Sequence, residues 1–156
     1  MLYKIIYSLT LGLLFTATVQ AQTLCQAVSI SDTTLAISLL NAGANPNQTD
    51  TTGKTPLFIA TLNGDLQMAT LLLDNGADVN LADSTLSTPL MKAADLGFID
   101  LVDLYVVRQA DLHLLDILQM NALDHAAESN AVAGSGSTSP VDPEAVYTRL
   151  YQEMNP

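Results

Sequence analysis

The sequence predicts an all-α fold of stacked helix pairs, on three observations. They are a 33-residue period, a Thr-Pro pair where a helix should start, and glycines where helices should end. Asp50, Asp83 and Asp116 stand 33 residues apart, as do Thr55, Thr88 and Asn121. The same spacing relates Leu57, Leu90 and Leu123, and again Ala60, Ala93 and Ala126. Gly64 matches Gly97, Gly43 matches Gly76, and Ala44 matches Ala77 and Ala110. A unit this short cannot bury its apolar face alone, so successive copies must stack into one continuous core.

The first element is a secretory signal at residues 1–21. Lys4 supplies a positive start, Ile5 to Val19 carries no charge, and Val19-Gln20-Ala21 suits cleavage after Ala21. A membrane anchor would need roughly 20 apolar residues, and a lipidated Cys25 would need a small residue before it where Leu24 stands. The expectation is a periplasmic or secreted protein with no stable membrane insertion after cleavage. Removing Lys4 and no acid leaves sixteen acids against four bases, a formal charge of −12. Cys25 is then a lone thiol, so packing rather than a disulfide must hold the fold.

A capping unit at 22–47 follows, then full repeats at 48–80 and 81–113, and a divergent unit at 114–156. Thr55 and Thr88 can accept a backbone N–H at a helix N-cap, and Pro56 and Pro89 fit the first helical position, where a missing N–H costs nothing. Leu57 and Leu90 face the core, and the small Ala60 and Ala93 let neighbouring helices approach. Gly64 and Gly97 suit a left-handed residue that ends the first helix. Leu66, Leu72 and Leu73 continue on the second helix, which Gly76 stops. In the last unit, residues 133–140 read as a Gly/Ser-rich insert. Pro143 then opens a helix through Met154, with Val146, Leu150 and Tyr151 as its expected buried face.

Gly53-Lys54-Thr55-Pro56-Leu57-Phe58-Ile59-Ala60 and Leu71-Leu72-Leu73-Asp74-Asn75-Gly76-Ala77-Asp78-Val79-Asn80 resemble the ankyrin-repeat family, with a second copy from Ser87 to Leu112. The resemblance implies a solenoid of helix-turn-helix units with short hairpin-like finger loops. It also implies a partner protein bound on the concave side, at the finger tips and the exposed flank of each first helix. Carried over, the binding residues are Thr51, Thr52, Lys54, Leu62, Ser84, Thr85, Ser87, Leu96, Ile117, Leu118 and Met120, with Asn63, Asp95, Glu128 and Ser129 beside them. This chain departs from the family where Phe58, Met91 and Asp124 replace a His, which removes hydrogen bonds between repeats. Leu86 and Gln119 replace a turn glycine, so distorted turns are expected there.

Few residues support chemistry. Two His and one Cys give little for a metal or nucleophile site. His113 reads as a loop residue, His125 as a packed or surface helical residue, and Cys25 as a small buried one. No catalytic residue, cofactor site or metal site is expected. An enzymatic alternative would centre on Asp116, Asp124, His125 and Glu128. A net charge of −11 disfavours nucleic acid and anionic lipid, and it would speed association with a basic protein. The third finger is unusually apolar, with Leu112, Leu114, Leu115, Ile117, Leu118 and Met120. Two readings are open: burial under the insert and last helix, or an exposed hot patch. The expected function is protein–protein interaction in the periplasm, as inhibitor, immunity-type neutraliser or assembly partner. Protection of an exported enzyme is the alternative.

Overall fold

The computed structural model describes residues 24–133 and 143–156. The expected signal segment and nearly all of the expected insert lie outside the described residues. Among the described residues eight helices are seen: α1 (residues 24–29), α2 (Thr33–Asn41), α3 (Pro56–Leu62), α4 (Leu66–Asp74), α5 (Pro89–Leu96), α6 (Ile99–Val107), α7 (Ala122–Ala133) and α8 (Pro143–Met154). Among the described residues none is strand, and no helix is long and apolar enough to cross a membrane. The first helices α3, α5 and α7 pack side by side, the second helices α4, α6 and α8 pack side by side, and each first helix packs on its own second helix.

Local chemistry starts and stops each helix. The Thr55 and Thr88 hydroxyls accept the amides of Phe58 and Met91 at 3.1 and 3.2 Å, with Pro56 and Pro89 at the first helical positions. Asn121 does the same for α7, accepting from Leu123 and Asp124, while the Asp124 carboxylate accepts the Asn121 amide in return. Two orphan donors are thereby satisfied reciprocally. At the end of α3, Gly64 N–H reaches Thr61 O and Asp65 N–H reaches Ala60 O, the paired bonds of a left-handed helix stop. Gly64 has φ +65°, and a side chain there would meet the Phe98 ring at 3.1 Å, so backbone and neighbour both favour glycine. Phe98, in turn, begins α6 without a side-chain cap.

The core runs unbroken through the stack. Leu57, Ala60, Met68, Leu72, Ala93, Val102, Tyr105, Ala126, Val146 and Leu150 are fully buried. The buried hydroxyls of Thr61 on α3 and Tyr105 on α6 meet at 2.6 Å, and Thr61 also donates to Leu57 O at 2.8 Å. Thr61 has one proton and gives it to a carbonyl, so Tyr105 must be the donor between them. This polar bond inside the core ties one repeat to the next. Asn47 and Asn80 make further ties at the edge, accepting the amides of Asp78 and Asp111 at 2.7 and 2.8 Å.

One expectation fails. Tyr151 is half exposed, because α8 closes the stack and buries only the stripe of Pro143, Val146 and Leu150. It stacks on Tyr147 instead, with ring centroids 6.0 Å apart. Leu66, at the first turn of α4, is 39% exposed while Met68, Ala69 and Leu72 carry that helix's burial. Within its own repeat, the Met91 sulfur accepts the Thr88 amide at 3.4 Å.

Candidate functional site

Each finger is a turn closed by an aspartate. In the first, Asp50 Oδ1 accepts the amides of Thr52 and Lys54 at 2.8 and 3.0 Å. In the second, Asp83 Oδ1 accepts those of Thr85 and Ser87 at 2.8 and 3.1 Å. In the third, Asp116 Oδ1 accepts those of Leu118 and Met120 at 2.8 and 3.0 Å. The backbone bonds repeat too: Asp50 pairs with Lys54 O, Asp83 with Ser87 O, and Asp116 with Met120 O. The left-handed residue is Gly53 (φ +80°) in the first finger, Leu86 (+59°) in the second and Gln119 (+61°) in the third. The turns at Leu86 and Gln119 therefore keep the same shape, contrary to the sequence expectation. The carboxylate bonds and the backbone closure over-determine the loop, which holds a non-glycine residue in that region.

The fingers also brace one another. Ile117 N–H donates to Thr85 O at 3.2 Å, joining the third finger to the second. His125 on α7 reaches back to Asp116, Nε2 to Oδ2 at 3.0 Å, so both oxygens of that carboxylate are engaged. Burial opposes ionisation of Asp116, but the Met120 and Leu118 amides and His125 outweigh it and hold its carboxyl below the ordinary value. Asp50 is lowered in the same sense: burial opposes, and the donors of Lys54 and Thr52 prevail. Cys25 is buried, with its thiol directed to Gln48 O at 3.6 Å. Burial first, then the Asp50 charge, pushes that thiol up to about 11.

Between fingers and first helices lies an open groove of about 430 Å³. It collects six of the residues expected to bind: Lys54, Leu62, Thr85, Ser87, Ile117 and Leu118. Ile117 and Leu118 are 60% and 68% exposed and Leu62 40% exposed, whereas Leu112 and Leu114 pack against the core. The apolar third finger is thus partly packed and partly exposed. Ser87 is a correction: it is buried, because the strand-like arm that closes the finger onto Asp83 turns it inward ahead of Thr88. Thr51, Thr52 and Ser84 are exposed and Leu96 and Met120 half-buried, all outside this groove; Thr51 lines a neighbouring hollow with Cys25 and Ile59.

Sequence reasoning did not place Phe58, Asp83 or Lys92 in the groove, nor Asp116 and His125 as a pair. The period could have found Asp83 and Lys92, since Asp50, Asp83 and Asp116 form one row at 33-residue spacing and Ile59, Lys92 and His125 another. It does not announce the bond between Asp116 and His125. Of the residues weighed for an enzyme, only Asp116 and His125 are bonded together; Asp124 serves the cap of α7 and Glu128 is exposed. Among the described residues no group of three or more His, Cys, Asp or Glu could hold a metal ion.

Comparison with known proteins agrees with this geometry. A family model of ankyrin repeats, in three copies, matches residues 24–116, more than half of the chain. No curated protein matches it. With the repeats in register, the helix pairs stacked and the three fingers closed alike, the chain belongs to the ankyrin-repeat family.

Proposed function

We propose that this protein is exported and binds one partner protein in the bacterial periplasm, through the groove between its fingers and first helices. Ankyrin repeats indicate a protein–protein interaction module, and the groove supplies a surface for it. The observation that carries the reading is the exposure of Ile117 and Leu118 on a loop pinned by Asp116 and by Thr85. Apolar side chains held rigidly at a surface lose little freedom on binding, and such positions supply interface hot spots. Inhibition, neutralisation of a toxin, or assembly of the partner would each use this contact.

Export rests on the charge-free stretch after Lys4 and the site after Ala21. Intact-mass measurement of the protein from its own cell envelope should show loss of residues 1–21; retention of Lys4, or lipid on Cys25, refutes this part. For binding, the envelope partner is captured with the purified protein and its activity is assayed with and without it. Joint substitution of Ile117→Ser and Leu118→Ser should weaken capture by at least about 2 kcal/mol while helical content is kept. Undiminished capture by that folded variant refutes the groove. A partner whose activity rises or survives longer on binding identifies protection rather than inhibition.

A further inference from the structure

We infer that the segment the groove takes from its partner is amphipathic and basic: a few apolar side chains flanked by lysine or arginine. The inference rests on the groove reading above and adds the partner's chemistry. The walls offer Leu62, Ile117 and Leu118, with the buried Phe58 beneath them. Charge on the lining is balanced, Lys54 and Lys92 against Asp83 and Asp116, and the hydrogen-bonding capacity of these groups is largely taken. Asp83 Oδ1 takes three donors, from the Thr85 amide and hydroxyl and the Ser87 amide. Asp116 is filled by Leu118, Met120 and His125, and Lys92 is tied to Asp95 at 2.6 Å. Lys54 bonds Thr52 and lies near enough to Asp50 for its charge to favour that carboxylate.

The rim is different. Asp124 adjoins His125 in the chain, and Glu128 lies one turn beyond it on α7; both are exposed. Asp124 stands in the same row as Phe58, and Glu128 in the same row as Leu62, so both fall on the groove side two repeats along. A segment entering the groove therefore meets an apolar, charge-balanced centre with carboxylates beside it, on a chain of net charge −11. An acidic segment would be repelled at both ranges, and a wholly apolar one would leave the rim unused.

The test is calorimetric titration of the full chain at low salt with two capped peptides, acetyl-Lys-Leu-Leu-Lys-Leu-Leu-Lys-amide and its counterpart with Glu in place of Lys. The lysine peptide should bind at least about 10-fold more tightly. Ile117→Ser with Leu118→Ser should weaken it about 10-fold or more, and Leu62→Ser, on the opposite wall, reads the same loss should that pair fail to fold. Asp124→Asn with Glu128→Gln should weaken the lysine peptide and narrow its advantage. Equal binding of both peptides, lost in the Ile117 and Leu118 variant, overturns this inference and leaves the groove reading standing. Lysine-peptide binding untouched by the wall variants is diffuse attraction to the acidic surface and overturns this inference. Binding of neither peptide overturns the inference, while the groove remains answerable to partner capture.

Discussion

Replacing Thr61 by Val should cost more than replacing its partner Tyr105 by Phe, and making both changes should recover part of the loss. Tyr105 is fully buried and gives its only polar proton to Thr61, which gives its own to Leu57 O. Burial pushes the phenol pKa far above its ordinary value, so the hydroxyl stays protonated at any working pH. Tyr105→Phe removes one hydrogen bond and leaves Thr61 still donating, a loss of about 1 kcal/mol. Thr61→Val preserves the β-branched shape but strands the tyrosine O–H in an apolar core and removes the bond to Leu57. The stranded donor alone costs about 1–3 kcal/mol and the lost bond about 1 kcal/mol more, for a total of about 2–4 kcal/mol. Adding Tyr105→Phe removes that donor, so the double variant should be more stable than Thr61→Val alone. Urea titrations of the four proteins give the cycle directly. Additive losses, or a Tyr105→Phe cost equal to that of Thr61→Val, would refute the assignment of donor and acceptor.

Three further outcomes are expected. Leu86→Gly removes a left-handed side-chain penalty of about 1–2 kcal/mol against a glycine entropy cost of about 0.5–1 kcal/mol. It should therefore leave thermal stability equal or raised, while Gly53→Ala lowers it, although the added methyl meets only ordinary contact with Ser84. Asp116 has a depressed carboxyl, so its contribution is complete above the ordinary value near 3.8 and is lost as pH falls below it. Acid unfolding of Asp116→Asn should accordingly show a shallower dependence over that range than the unsubstituted chain; an unchanged slope would sever Asp116 from acid stability. Cys25, pushed from 9.0 to about 11, should react with iodoacetamide roughly 100-fold more slowly when folded than in denaturant near neutral pH. Equal rates would place the thiol at the surface.

The stacking of helices was legible because its causes are local and periodic. Thr55, Pro56, Leu57 and Ala60 each act through a cap, a first turn or a close approach that a 33-residue spacing displays. What the sequence hid was longer in range or one-sided. Thr61 and Tyr105 lie on different helix rows of different repeats, and no spacing announces their bond. His125 stands in the row of Ile59 and Lys92, neither of which bonds a finger aspartate, so the contact with Asp116 breaks the repeat rather than following it. Tyr151 was misplaced because a terminal helix has a neighbour on one side only, and periodicity alone cannot say which apolar stripe that neighbour covers. Ser87 failed similarly: as one arm of a finger it reads as loop, yet it faces inward where the loop closes.

The aspartate at the root of each finger separates what shapes the loop from what the loop displays. Asp50, Asp83 and Asp116 hold Thr51-Thr52, Ser84-Thr85 and Ile117-Leu118 in one conformation, though the first two pairs are polar and the last apolar. The loops are thus exchangeable cassettes. Two adjacent codons rewrite the chemistry presented by a finger, and because exposed substitutions usually shift stability by no more than about 0.5 kcal/mol, the rest of the stack need not accommodate the change. A lineage carrying this architecture can retarget its surface one finger at a time, with every intermediate still folded.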